Sequence, residues 1–339
     1  MNVSEHPEIN SEIQLNGISW FHYANASLFI VAIVLGFLGN SLVVLAFILS
    51  KRIRTTTNIF IVNLAVTDIL TTAPMFCVVW LSVSNEEAII HSLHLWCSLL
   101  LLLGRGLGGC SILTLVLIAV SRWILITKRI ETYRNIYRRK TIFIILLLTW
   151  FYSTVLSCLP GFLNEIHFNF NGTFRICQIT EKSYQFSFLT ISSSIVPYYT
   201  IAPLIIIYCY GSIFKHVKTN KRRIDGKRSV VWTTSSTSTS ECVFLSFRNQ
   251  GSGGQNANQV SRRQMDITKN LLLVVIFFTI FMIPYAVANL LQCEQFIKQR
   301  TLTLILLNSV VNPIIYGIKH PSFRHIFKCI LLRKWERIL

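Results

Sequence analysis

The chain has 339 residues, 52% hydrophobic and only 14% charged, with a net charge of +18. Soluble domains carry about 25% charged residues, and here the apolar residues fall in long blocks, which excludes a soluble globular domain and indicates a polytopic membrane protein. The basic balance does not imply nucleic acid. With the N-terminus outside, only Arg175, Lys182, Lys298 and Arg300 of the 32 Lys and Arg face outward, and Arg105 and Arg122 lie within spans. The rest are inside, the charge bias that sets membrane orientation, with some attraction to anionic lipid.

In chain order, residues 1–26 form a polar extracellular N-terminus holding Glu5, Glu8 and Glu12 but no Lys or Arg, so a cleavable signal with a basic n-region is not expected. Residues 27–318 form the membrane domain, with apolar segments at 27–49, 58–81, 95–126, 141–162, 188–214, 267–292 and 299–318. Each can span a bilayer as a helix that satisfies its own backbone hydrogen bonds. The fold class is therefore an all-α bundle of seven membrane helices, with the N-terminus outside and the C-terminus cytoplasmic. Residues 215–266, with Lys221-Arg222-Arg223, a Ser/Thr run and Gly251-Ser-Gly-Gly254, read as a flexible cytoplasmic loop. Residues 319–339 hold Phe323, Phe327 and Ile330 at helical spacing among basic residues, which fits an amphipathic helix on the inner membrane face. Cys329 within it is either palmitoylated or an inert thiol.

The third segment carries the most unusual chemistry. Cys97 stands at its outer end, Arg122 at its inner end and Arg105 within it. Ionisable groups inside a span are costly and mark function. Cys97 and Cys177, in the second outer loop, share an oxidising compartment that favours a disulfide between them. Asn2, Asn25 and Asn171 match glycosylation sequons, and Asn2 and Asn171 stand far enough from the bilayer to be acceptors. Asp68 is the one carboxylate inside a span. Ser111, Asn308 and Asn312 offer it oxygen-bearing neighbours, the last two on one helix face. These four either hold a sodium ion, a hard cation suited to oxygen ligands, or form an ion-free polar cluster. Pro74, Pro160, Pro203, Pro284 and Pro313 interrupt spans at depth and permit kinks.

Taken together, the chain resembles the rhodopsin-like (class A) G-protein-coupled receptors over essentially its whole length. The matching residues are Gly39-Asn40, Asn63-Leu-Ala-Val-Thr-Asp68, Cys97, Ser121-Arg122-Trp123, Trp150, Pro160, Tyr210, Phe278, Pro284, Asn312-Pro313-Ile-Ile-Tyr316 and Phe323. Ser111-Ile-Leu-Thr-Leu-Val-Leu-Ile-Ala and Ile283-Pro-Tyr resemble the medium-chain fatty-acid, moody and melatonin-like receptors. The resemblance implies a non-enzymatic plasma-membrane receptor, glycosylated and disulfide-linked, that activates a heterotrimeric G protein. In it Arg122 would hold the inactive state and meet the G protein, and Tyr210 and Tyr316 would swing in to support it. Phe278, Met282 and Pro284 would form the switch of the sixth helix, Asn312, Pro313 and Tyr316 that of the seventh, and Asp68, Ser111, Asn308 and Asn312 the sodium pocket. No other cofactor is implied.

Several departures sharpen the expectations. Ser121 replaces the acidic residue beside Arg122, Trp123 the following tyrosine, and Gln264 stands where many members carry an acidic partner for Arg122. An unrestrained Arg122 implies raised basal signalling. Met282 replaces the toggle tryptophan, and Pro203 precedes Tyr210 by seven residues rather than eight, which puts the fifth-helix bulge in doubt. Gly104 occupies the aspartate position of amine receptors, so an amine ligand is not expected. Leu306 occupies the retinal-binding lysine position of opsins, and no lysine lies between Lys298 and Lys319, which excludes a Schiff base there.

Arg105 either anchors an acidic, lipid-like extracellular small molecule or makes a structural contact, and Gly104, Arg105, Met282 and Leu306 are the candidate ligand contacts. A transporter or channel would need more intramembrane ionisable groups. An intramembrane hydrolase would need metal-ligand or acid–base clusters that the spans lack.

Overall fold

A computed structural model of the chain describes residues 7–83, 93–162, 166–171, 176–181, 191–234, 253–291, 293, 295–334 and 336. Seven long helices form the bundle: the first span Pro7–Leu49, the second Thr56–Val83, the third Leu93–Thr127 and the fourth Arg139–Phe162. The fifth begins as a π-helix, Ile191–Ile201, and continues as α-helix over Ala202–Thr234. The sixth is Gly253–Leu290 and the seventh Gln295–Lys319. Among the described residues, six helices are long and apolar enough to cross a membrane, and the apolar stretch of the seventh, Thr303–Lys319, is shorter.

Burial is arranged for a lipid solvent. Large apolar side chains such as Phe143, Phe151, Ile207 and Tyr208 lie exposed on the outside of the bundle. Polar residues lie inside it: Asn40, Thr67, Asp68, Thr114, Ser121, Arg122 and Asn312 are all buried. The third span is the axis, the most deeply buried of the six long apolar spans among the described residues.

Polar side chains tie the spans together. Asn63 of the second span donates to Thr114 Oγ1 of the third at 2.8 Å and accepts from Trp150 Nε1 of the fourth at 3.0 Å. Asn40 Nδ2 donates to its own helix at Gly36 and across to the seventh span at the Ser309 carbonyl, both 2.8 Å. Glycine permits this approach: a Cβ at Gly39 would stand 2.8 Å from Pro313 Cγ.

Three features depart from the sequence reading. The segment 215–266 is mostly helix, because the fifth span runs to Thr234 and the sixth starts at Gly253. Its polar Lys, Arg and Gln residues are sound helix formers once a membrane helix has nucleated them. The fifth span does carry a wide, irregular stretch, but the proline inside it is Pro197, with Pro203 just beyond. A proline removes a backbone donor, so local rewinding is the expected response. Between the fourth and fifth spans, strands Ile166–Asn171 and Ile176–Glu181 form an antiparallel hairpin with Cys177 opposite Phe170. It lies against the third span and reaches the second.

The last helix, Pro321–Leu331, turns its apolar face inward rather than toward lipid. Phe323, Ile326, Phe327 and Ile330 are buried in the main core, and Phe323 stacks on Tyr316 at 6.0 Å. Cys329 is buried with them, its Sγ 3.9 Å from His325 Nδ1, which favours the inert thiol over a lipidated one.

Candidate functional site

Arg122 is 3% exposed, near the Thr127 end of the third span. Its neighbour Ser121 turns away, donating its hydroxyl to the Ile118 carbonyl of its own helix at 3.0 Å. The guanidinium instead donates through Nη1 to Gln264 Oε1 of the sixth span at 2.8 Å. The expectation that Arg122 has no partner on the sixth helix is thereby corrected. A clasp exists, but it is one hydrogen bond to a neutral amide. Such a bond to a charged group contributes about 1.5–3 kcal/mol, less constraint than a forked ion pair supplies. Nε of Arg122 has no hydrogen-bond partner, nor do the buried hydroxyls of Tyr210 and Tyr316. Tyr210 and Tyr133 lie close enough to act electrostatically on Arg122, and Tyr316 is similarly close to Tyr210.

Trp123, in the usual tyrosine position, has a structural task. Its Nε1 donates to Ser212 Oγ of the fifth span at 2.9 Å, and Lys128 Nζ stands 5.4 Å over its ring. The third and fifth spans are therefore pinned together beside a more loosely clasped sixth.

Deeper in the bundle, Asn312 Nδ2 donates to Asp68 Oδ2 at 3.0 Å, and Ser309 lies near this carboxylate. Ser111 Oγ pairs with Thr67 Oγ1 at 2.9 Å, one residue from Asp68. Asn308 is buried with its amide nitrogen unpaired. Asp68 and Asn312 are thus in contact, while Ser111 reaches the cluster through Thr67. Thr67 and Ser309 are members that sequence spacing missed. Thr67 meets Ser111, 44 residues away, and Ser309 meets the second span from the seventh, so no local pattern marks them.

Nearer the Cys97 end, Arg105 acts electrostatically on both Tyr198 and Tyr199 of the fifth span. A Cβ at Gly104 would meet Met75 at 3.5 Å, so this glycine faces the second span. Met282 packs with Ile112, Tyr198 and Ala202, and Phe278 lies beside them. Leu306 is buried with Phe29 and Ala32 in a wholly apolar cluster. A Schiff-base lysine is absent from that position, so the residues do not fit a covalently held retinal. Cys97 and Cys177 lie on described backbone, but their side chains fall outside the described residues, as does that of Asn171; all of Asn2 does so.

A seven-helix bundle with a buried arginine clasped to its sixth helix is the architecture of a membrane receptor. The family model for 7-transmembrane receptors of the rhodopsin family matches residues 39–316, and the chain belongs to that family. It is 28% identical over 314 residues to melanopsin-A of Danio rerio, covering 89% of this chain and 49% of that protein. It is 28% identical over 324 residues to the GQ-coupled rhodopsin of Mizuhopecten yessoensis (90% and 58%), and 27% over 316 residues to human melanopsin (89% and 60%). The chain thus spans roughly half to three-fifths of these relatives' length. The crystal structure of squid rhodopsin shares the fold, with a TM-score of 0.72 at 19% identity over 91% of this chain and 84% of that one. These relatives are opsins, so the expected kinship with fatty-acid, moody and melatonin-like receptors is not upheld.

Proposed function

We propose that this chain is a plasma-membrane receptor, N-terminus extracellular and C-terminus cytoplasmic, that activates a heterotrimeric G protein in response to a non-covalently held ligand. The observation that carries the reading is the buried Arg122 held to the sixth span by its Gln264 bond. A ligand that separates the third and sixth spans would free the guanidinium, with Tyr210 and Tyr316, whose hydroxyls are unpaired, ready to receive it. A sodium ion at Asp68 and Asn312, a Cys97–Cys177 bridge tethering the hairpin and a glycan on Asn171 at the end of the hairpin's first strand complete the proposal. The ligand class that suits Arg105 is an acidic, lipid-like small molecule.

The test is guanine-nucleotide exchange on a panel of G proteins by the full chain in nanodiscs. The expected result is exchange above empty discs that Arg122→Ala abolishes; exchange equal to empty discs in every condition would sink the reading. Likeness to melanopsins favours a second reading, a photoreceptor. Incubation with 11-cis-retinal followed by acid trapping separates the two: a visible-absorbing covalent adduct supports the second, and its absence the first.

A further inference from the structure

The sixth span packs along the seventh and touches the third, but it barely approaches the fifth. Between them lies an apolar crevice of about 330 Å³, floored on the third span by Ile112 and Leu115. Its rim is open to the lipid: Ile207, Ile276, Ile280 and Ile283 are 67%, 43%, 54% and 53% exposed. Water gains little in an apolar cavity of this kind, whereas bilayer hydrocarbon is in constant contact with the opening.

One end of the crevice carries phenol hydroxyls, and the Arg105 guanidinium lies near them, outside the lining residues. Tyr198 and Tyr199 line this end, and Arg105 acts on both. Tyr198 is 7% exposed, and its hydroxyl has no hydrogen-bond partner. Its ring can sit there only because residue 109 is glycine, where a Cβ would stand 2.6 Å from the phenol. Arg105, Gly108, Ile112 and Leu115 fall on one face of the third span at helical spacing. Nothing lies within 4 Å of where a Cβ on Gly108 would be, so the path from Arg105 down to Ile112 is open. Phe278 and Met282, assigned to the switch, line the crevice beside Tyr198, and Tyr210 lines it farther along the fifth span.

We infer that this crevice is the ligand site, that it takes a single-tailed long-chain carboxylate, and that the tail enters from the bilayer between the fifth and sixth spans. The inference rests on the receptor reading above and names its ligand class and route. The carboxylate meets the Arg105 guanidinium and the Tyr198 hydroxyl, the donors such an anion takes in its shortest bonds. From Arg105 to Leu115 is ten residues, about 15 Å of helix, so a long tail is needed to reach Tyr210. A bilayer phospholipid is a poor fit, because Arg105 lies eight residues, about 12 Å, inside the Cys97 end, below headgroup level. Occupancy places hydrocarbon against Tyr210, which lies beside Arg122.

The test uses the full chain in nanodiscs and a palmitic acid bearing a diazirine in the far half of its tail. After irradiation, label is expected on 202–210 and 272–283. Excess palmitate should compete with it, and the matching alcohol or trimethylammonium should not. Arg105→Gln should lower labelling about tenfold and Arg105→Lys less. Ile207→Trp and Ile276→Trp, both at lipid-exposed positions, should lower it at least threefold while thermal melting confirms folding. Label spread evenly over the outer faces of all spans, or unchanged by the Arg105 variants, would overturn the inference. Labelling needs no G protein, so its failure is separable from a failure of nucleotide exchange.

Discussion

Replacing the acidic neighbour of Arg122 by Ser121 changes where the restraint on the guanidinium comes from. The serine hydroxyl is spent on its own helix, and the restraint moves across the bundle to Gln264. The resemblance marked Gln264 as lacking the usual acid but not as a hydrogen-bond partner, because only the packed bundle brings residues 142 apart together. The position of Arg122, by contrast, was legible, since a lone arginine at the end of an apolar span needs an explanation. At this scale Ser212→Ala removes the acceptor of the Trp123 Nε1 bond and leaves the indole in place. It should cost about 1 kcal/mol, read as a lowered melting temperature with unchanged expression at the membrane. For the polar cluster, replacing sodium by choline should lower the melting temperature of the wild type and leave Asp68→Asn unmoved, because an ion that binds only the folded state stabilises it by mass action. Equal behaviour of the two would assign Asp68 and Asn312 to an ion-free hydrogen-bonded pair.

The spans themselves were legible because hydrocarbon sets a length and an apolar composition that a sequence cannot hide. Their continuation beyond the lipid was not. The polar ends of the fifth and sixth helices look like loop by composition, yet helix continues over 215–234 and begins again at Gly253. The final helix shows the same limit in another form. Its amphipathic pattern was read correctly, but the apolar face packs on the bundle against Tyr316 rather than on lipid. Pattern reports that a face will be buried and does not report against what. Close helix crossings give the prediction at this scale. Gly39→Ala would place a methyl 2.8 Å from Pro313 Cγ and force the first and seventh spans apart. Overpacking of this kind costs about 1–3 kcal/mol, to be read by thermal unfolding, whereas Gly211→Ala, with open space around its Cβ position, should be close to neutral.

Across the whole molecule, the arrangement is asymmetric. Side-chain hydrogen bonds of Asn40 join the first span to the seventh, those of Asn63 join the second, third and fourth, the Asp68–Asn312 bond links the two sets, and the fifth is pinned to the third by Trp123. The sixth has the Asn270 bond to the Lys319 carbonyl at 2.7 Å on one side and the Arg122–Gln264 clasp toward the third span. A crevice open to lipid lies along its remaining flank. Motion should therefore concentrate in the sixth helix, about its Pro284 interruption, with the seventh following. Kinship with opsins does not bring a retinal linkage with it, because the residue at the decisive position is the buried Leu306. The most direct measurement is basal guanine-nucleotide exchange by the wild type, Gln264→Glu and Gln264→Ala, all reconstituted at equal density. Converting the neutral clasp to an ion pair should lower basal exchange severalfold, and removing it should raise exchange by about as much, since 1.4 kcal/mol is a tenfold population change. Identical basal rates in all three would contradict the account, because the bond between Arg122 and the sixth helix would then not be what holds the receptor at rest.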